Sequence, residues 1–171
     1  MRNNKGFSIM ELLTVMGIVA ILAGIAVPNY IRWRNNSQLS RATQDLYSSF
    51  QSAKSQAARS NTLSTITFDT VAGNYTVFVD DDQDLTLDAG EQVIRTVAWS
   101  EYPGVSLNPA QGGGDGLIFT NPNNAIAFAP NGFCLNNTGS LAAGTVFLRN
   151  DNRQTRINIT PAGSVSINQP G

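Results

Sequence analysis

The sequence predicts an α+β protein: a long N-terminal α-helix with a membrane-spanning first half, its second half packed on an antiparallel β-sheet head. Three observations predict it. Residues 7–27 form an apolar run carrying one charge, Glu11. Apolar residues then recur at spacings of three and four as far as Ala57. Beyond Asn61 the pattern changes to short alternating stretches divided by Gly, Pro and Asn turns. A chain of 171 residues has room for one ordinary domain plus an extra element.

Phe7 to Val27 contains 21 residues. As a helix rising ~1.5 Å per residue it spans roughly 31 Å, the thickness of a bilayer core. Met1-Arg2-Asn3-Asn4-Lys5-Gly6 is a short basic leader before it. One reading is a secretory signal peptide cut near Gly24-Ile25-Ala26, but the apolar region is long for one and carries Glu11 near its start. A plain single-span anchor leaves Glu11 unexplained, because an unpaired carboxylate at bilayer depth costs on the order of 2–3 kcal/mol or more. Arg2 and Lys5 before the span nearly balance Arg32 and Arg34 after it, so charge alone does not orient it.

Past Pro28, Leu39, Ala42, Leu46, Phe50, Ala53 and Ala57 form one apolar stripe. Arg41, Gln44, Ser48, Gln51, Ser52 and Ser55 lie off it, and Asn61 is the expected stop. A helix from about Ser8 to Asn61 would be ~80 Å long, more than a small domain can bury. It is either broken at Pro28 into an anchor and a domain helix, or continuous with a weakened first half at Gly17, Gly24 and Pro28. The expected divisions are residues 7–28, 29–61 and a β-rich head over 62–171.

In the head, strands are expected at Leu63–Asp69, Asn74–Val79, Val93–Trp99, Leu117–Thr120, Ala125–Ala129, Thr145–Arg149, Arg156–Thr160 and Ser164–Ile167. Alternation such as Arg156-Ile157-Asn158-Ile159-Thr160 suits half-buried antiparallel strands. Turns fall at Ala72-Gly73-Asn74, Pro103-Gly104, Pro130-Asn131-Gly132 and Pro161-Ala162-Gly163. Trp99 and Tyr102 are expected in the core or rim.

The stretch from Asp80 to Glu91 reads as an acidic turn between two strands or as a cation loop. Asp80, Asp82, Asp84, Thr86, Asp88 and Glu91 hold positions 1, 3, 5, 7, 9 and 12 of a calcium loop. Leu85 stands where that motif needs glycine for its sharp turn, and the flanks read as strands, not helices.

Other signals are weaker. The chain has no histidine, which removes His-based triads, His acid/base catalysis and most catalytic zinc sites. No nucleophile motif or cofactor fingerprint is present, so an enzyme is not expected. Cys134, the only cysteine, cannot form an intrachain disulfide and reads as a buried small hydrophobe. Gln111-Gly112-Gly113-Gly114-Asp115-Gly116 lacks the Gly-Lys-Ser/Thr ending of a phosphate loop and reads as a flexible connector. Arg149, Arg153 and Arg156 form a basic cluster diluted by Asp151, which argues against DNA as a partner.

Gly6-Phe7-Ser8-Ile9-Met10-Glu11-Leu12-Leu13, after a basic leader and before an apolar helix, resembles the processing signal of type IV pilins and type II secretion pseudopilins. The resemblance implies that residues 1–6 are a leader and that a prepilin peptidase cuts between Gly6 and Phe7 and methylates the new amine. It further implies that Glu11, fifth in the mature chain, pairs with such an amine during assembly, and that Pro28 holds a position usual in the family. Leader removal would leave nine basic and twelve acidic side chains. Ala57-Ala58-Arg59-Ser60-Asn61, Phe128-Ala129-Pro130-Asn131-Gly132 and Ile157-Asn158-Ile159 followed by Gly163-Ser164-Val165 resemble the FimT/GspH branch of minor pilins. That branch implies an inner-membrane protein with its head in the periplasm, then a subunit of a surface pilus initiating assembly or standing at its tip. Its partners would be other pilins and minor pilins. The alternatives are the corresponding pseudopilin of a type II secretion system, and a DNA-binding or adhesive tip subunit.

Overall fold

A computed structural model describes residues 8–120 and 123–168. The chain divides into two units, one ending at Arg34 and the other beginning at Asn35. Helix α1, Ile9–Ser60, runs through both, with Pro28 inside it. The helix therefore continues past Pro28 rather than breaking there, although that residue has no N–H for the carbonyl of Gly24 one turn back. It ends at Asn61, whose backbone turns into the left-handed region at φ 55°. Asn tolerates that conformation better than most residues, and it is a common way to close a helix.

In the second unit, ten strands form two antiparallel sheets. The first has the order β3-β2-β1-β6-β7, from Val93–Ala98, Asn74–Asp80, Leu63–Asp69, Ala125–Phe128 and Cys134–Leu135. The second has the order β10-β9-β8-β4, from Val165–Asn168, Gln154–Ile159, Gly144–Arg149 and Ser106–Leu107, with β5, Leu117–Phe119, also paired to β8. Eight strands stand where alternation predicted them, with ends shifted by a residue or two. β4 and β7 have two residues each, too short for a period to be read. Val93–Trp99 is corrected at its end: β3 stops at Ala98, and Trp99–Glu101 is a 3-10 turn. The glycine-rich stretch is also corrected. Gly112–Gly114 forms a 3-10 turn, and Gly116 O accepts from Phe147 N–H at 2.8 Å, so hydrogen bonds tie it to the second sheet.

All six stripe residues are buried, and the six named off-stripe residues are exposed. The stripe joins one core with Ile66, Tyr75 and Val77 of the first sheet and Val146, Leu148, Ile157 and Ile159 of the second. Phe50 is fully buried, its ring 6.4 Å from Phe68 and 6.3 Å from Phe128. Each such ring contributes about 1.5–3 kcal/mol by leaving water. Strand β1 is buried on both faces, because a second cluster of Leu63, Leu85, Ala125, Ala127 and Ala129 covers its far side.

Two predicted turns meet beside the helix. Pro161 O accepts from Cys134 N–H at 2.9 Å, and Gly163 O accepts from Lys54 Nζ at 3.0 Å. Gly163 sits at φ 70° with the carbonyl oxygen of Gly132 where a side chain would begin. Only glycine fits both conditions. Gly163→Ala is expected to cost about 2–4 kcal/mol, the sum of left-handed strain and overpacking. Chemical denaturation checks this; a change under ~0.5 kcal/mol would show that the two turns separate freely.

Candidate functional site

The amino-terminal unit holds two candidate residues in view, Glu11 and Pro28, the latter inside α1. Gly6 and Phe7 lie outside the described residues. Glu11 is exposed in the first turn of α1. Ser8 Oγ accepts from Met10 N–H at 3.2 Å, so Ser8 caps the helix and Glu11 stands three residues later, the spacing of a capping box. That Ser-x-x-Glu pattern was legible in the sequence but hidden by the processing motif laid over it. The helix is long and apolar enough to cross a membrane. Ile9, Met10, Leu13, Met16, Ile21, Leu22 and Ile25 are all exposed along it.

The acidic loop joins β2 to β3 and is organised by two carboxylates. Asp80 is fully buried; its Oδ2 accepts from Thr65 Oγ1–H at 2.7 Å and Leu85 N–H at 3.1 Å, and its Oδ1 from Gln83 N–H at 2.8 Å. Burial pushes the Asp80 carboxyl above its ordinary range, against the pull of those three donors. Glu91 clasps the other end, accepting from Asp81 N–H at 3.0 Å and Asp88 N–H at 2.9 Å. Leu85 has φ 66°, the left-handed turn its position demands of a glycine, and is 1% exposed in the second cluster. Burial of about 1.5–3 kcal/mol offsets a strain of about 1–2 kcal/mol there.

Of the six predicted cation ligands, the fold gathers three. Oxygens of Asp80, Asp82 and Asp84 lie within 4.8 Å of one another. Glu91 spends both oxygens on backbone donors, and Thr86 N–H donates to Asp84 Oδ1 at 2.6 Å. The donors are hard oxygens suited to calcium, but the set is half what the spacing predicts.

A polar latch couples the helix to the first sheet, and the sequence reading missed it. Asp45 Oδ1 takes Arg95 Nη2 at 2.8 Å, and its Oδ2 accepts from Tyr75 Oη–H at 3.1 Å. Ser49 Oγ lies 3.1 Å from the same phenol oxygen. Asp45 and Ser49 are four apart on the helix; Tyr75 and Arg95 lie on adjacent strands. No spacing in the sequence joins residues 45, 75 and 95. Cys134 is buried, and burial raises its thiol to about 12, so it is an inert core residue.

Arg149 and Arg153 flank a polar groove of about 540 Å³ with Asn108, Asn150 and Gln154. Asn150 anchors this turn, donating through Nδ2 to Asn35 O at 2.9 Å and Asn36 Oδ1 at 3.1 Å.

A single helix laid on two antiparallel sheets, behind an exposed apolar helical segment, defines the pilin-like class of subunit. Residues 42–163 match the family described as Type II transport protein GspH, and residues 1–27 match the Prokaryotic N-terminal methylation motif. The chain belongs to the GspH family of type IV pilin-like proteins. Pilin-like protein PilA1 of Thermus thermophilus is 33% identical over 89 residues, 52% of this chain and 56% of that protein. Type IV major pilin protein PilA of Myxococcus xanthus is 40% identical over 52 residues, 30% of this chain and 24% of that one. The matches thus cover between a quarter and just over half the length of these relatives. Among solved structures, the type IV minor pilin FimU of Pseudomonas aeruginosa aligns with TM-score 0.56 and 13% identity, over 80% of this chain and 92% of that one. The minor pseudopilin EpsH of Vibrio cholerae aligns with TM-score 0.54 and 15% identity, over 78% and 98%. At these identities the likeness concerns the fold.

The latch makes a pH prediction. Burial raises Tyr75 well above its ordinary 10, Ser49 opposes this, and the Asp45 carboxylate adds to it. Tyr102 rises to about 12, first through burial and then through Asp45. A phenol raised in the folded state stabilises the fold below the unfolded value and ceases to do so as pH climbs through the folded one. Stability is expected to decline from about pH 10 upward. In Tyr75→Phe that decline is expected to be shallower, as read by denaturation at pH 8, 10 and 11. Equal slopes in both proteins would remove Tyr75 from the account.

Proposed function

We propose that this chain is a structural minor subunit of a type IV pilus, contributing to its initiation or tip. Residues 1–6 are its leader, residues 7–28 its membrane and filament-core segment, and residues 29–61 the helix half that carries the head over 62–171. A prepilin peptidase cuts between Gly6 and Phe7 and methylates Phe7, and the head lies in the periplasm until the subunit enters the filament. Glu11 then meets the amine of a neighbouring pilin in the same low-dielectric layer, and a subunit out of register leaves both charges unpaired. The observation carrying this reading is the methylation motif over residues 1–27 in the same chain as a GspH match over 42–163. A second reading, a pseudopilin of a type II secretion system, is favoured by that family's description and by the likeness to EpsH. The role in either machine is structural, not catalytic. DNA as a partner has only the diluted arginine cluster in its favour.

Mass spectrometry of the native chain is expected to find Phe7, methylated, at its amino terminus. Glu11→Ala subunits are expected to reach the membrane normally yet be depleted roughly tenfold or more in sheared pili, the ratio of about 1.4 kcal/mol of lost pairing. Normal incorporation of that variant removes the pairing role, and secretion failure with intact pili assigns the chain to the secretion machine.

Calcium is proposed for the acidic loop on Asp80, Asp82 and Asp84, where a cation would relieve crowded carboxylates. Calcium is expected to raise the melting temperature by roughly 2–4 °C over chelator, equivalent to about 1 kcal/mol in a chain of this size. Identical melting in both buffers leaves the loop held by its own hydrogen bonds.

A further inference from the structure

Arg149 and Arg153 stand on a turn that the head holds firmly. Asn150 is 8% exposed, and its Oδ1 accepts from Asn152 N–H at 2.9 Å and Arg153 N–H at 2.6 Å. Its own N–H donates to Arg153 O at 2.9 Å. Its Nδ2 bonds Asn35 and Asn36, so the turn is pinned to the first residues of the second unit. The groove of about 540 Å³ opens beside it, and Asn108, 4% exposed, braces one wall by donating to Gln154 Oε1 at 3.1 Å. Both arginines are exposed, and among the described residues neither guanidinium has a partner. Asp151 belongs to the turn but does not line the groove.

This groove is anchored next to the place where the chain leaves its apolar span. Asn35 follows Arg34 directly. Just before it, Tyr30 and Trp33 are exposed with ring centroids 5.9 Å apart, and Arg32 and Arg34 are exposed as well. Such amphipathic rings settle at the headgroup level of a bilayer. From Trp33 to Asn35 a helix rises only ~3 Å. The anchor of the turn therefore stands close to that level by continuity of α1 alone. The acidic loop does not oppose a negative surface there. It begins at Asp80, paired with Leu63 past the end of α1, and the helix rises roughly 37 Å from Asn35 to Ser60. That exceeds a Debye length of about 8–10 Å several times over.

We propose that the groove between Arg149 and Arg153 binds the headgroup of an anionic phospholipid such as phosphatidylglycerol while the subunit resides in the membrane. A guanidinium presents paired N–H donors that match phosphate oxygens, and two of them fix one phosphodiester. The amide side chains of Asn152 and Gln154 suit the hydroxyls beyond it. A zwitterionic headgroup brings its own cation, which the same arginines repel, so the groove discriminates by charge. Free phosphate shares the chemistry, but the position beside the span selects the lipid. The setting rests on the membrane reading above. A headgroup held there keeps the head at the membrane surface until the subunit enters the filament.

The full chain in neutral detergent, mixed with equal amounts of phosphatidylglycerol and phosphatidylcholine, tests it by native mass spectrometry. The parent is expected to retain phosphatidylglycerol roughly tenfold over phosphatidylcholine, and Arg149→Gln with Arg153→Gln to cut that preference roughly fivefold or more. Arg2, Lys5, Arg32 and Arg34 are the same in both proteins, so the difference reads the groove. Arg149→Lys with Arg153→Lys restores the charge and should recover most of the preference, which a merely loosened turn would not. Equal preference in the parent and the glutamine pair, or no recovery with lysine, overturns the proposal. So does inorganic phosphate that strips the retained lipid at equal concentration, which makes the free anion the ligand. A short DNA duplex that binds the parent but not the glutamine pair, with no lipid preference in either, makes nucleic acid the occupant and overturns it too. Flotation with vesicles of the same two lipids separates the readings. A chain that floats without the preference refutes the groove and leaves the membrane reading standing; one that does not float refutes both.

Discussion

Burial of one helical stripe organises the head. Leu39 to Ala57 gives six apolar side chains to a single line, and both sheets close on it. Small residues at Ala42, Ala53 and Ala57 let the strands approach, while Leu46 and Phe50 fill the wider space between. Without the helix each sheet would expose one apolar face, which neither sheet can bury alone. The polar latch then sets the helix in rotation and in height. Arg95 and Tyr75 converge on Asp45, so a slide of one turn would leave the buried Tyr75 and the part-buried Asp45 without these partners, at about 1–3 kcal/mol each. Apolar burial supplies the affinity of helix for sheet, and the latch supplies the register.

The acidic loop follows the same division at smaller scale. Leu85 is an apolar plug and Asp80 a buried acceptor for three donors. Together with the Glu91 clasp they fix the base of the loop, and Asp84 Oδ1 accepts from Thr86 N–H at its tip. Its outward carboxylates are therefore held in place by a base that is already ordered. The left-handed Leu85 shows the priority: a glycine there would relax the backbone but remove the plug.

The helix, its stripe, its stop at Asn61 and eight of ten strands were legible because each rests on a period or on a turn residue. Pro130-Asn131-Gly132 and Pro161-Ala162-Gly163 marked turns, but nothing local said that they touch across 31 residues. Asp45, Tyr75 and Arg95 escaped for the same reason, since a bond between distant positions has no spacing signature. The cation loop was half legible. Its spacing is a linear pattern and was read, but the use of Glu91 as a backbone clasp depends on how the chain returns to β3. Trp99 still donates its N–H to Gly73 O at 2.9 Å, as a strand residue would, but its own carbonyl accepts from Tyr102 N–H at 3.0 Å and closes the 3-10 turn, a bond no strand period announces.

Glu11 has two physical accounts, and magnitude separates them. As the third residue after a Ser8 cap it gains from the helix dipole, about 0.3–1 kcal/mol when exposed to water. In lipid the same carboxylate costs on the order of 2–3 kcal/mol or more. Capping alone therefore leaves a deficit in lipid, and the amine partner proposed for Glu11 would remove it. The described helix supplies no cation, because from Ile9 to Ile31 it contains no lysine or arginine. A compensating cation would come from a chain terminus or from another molecule. Under the proposed pairing, the position of this single acidic side chain along the helix would set how far a partner subunit can be displaced before both charges stand unpaired.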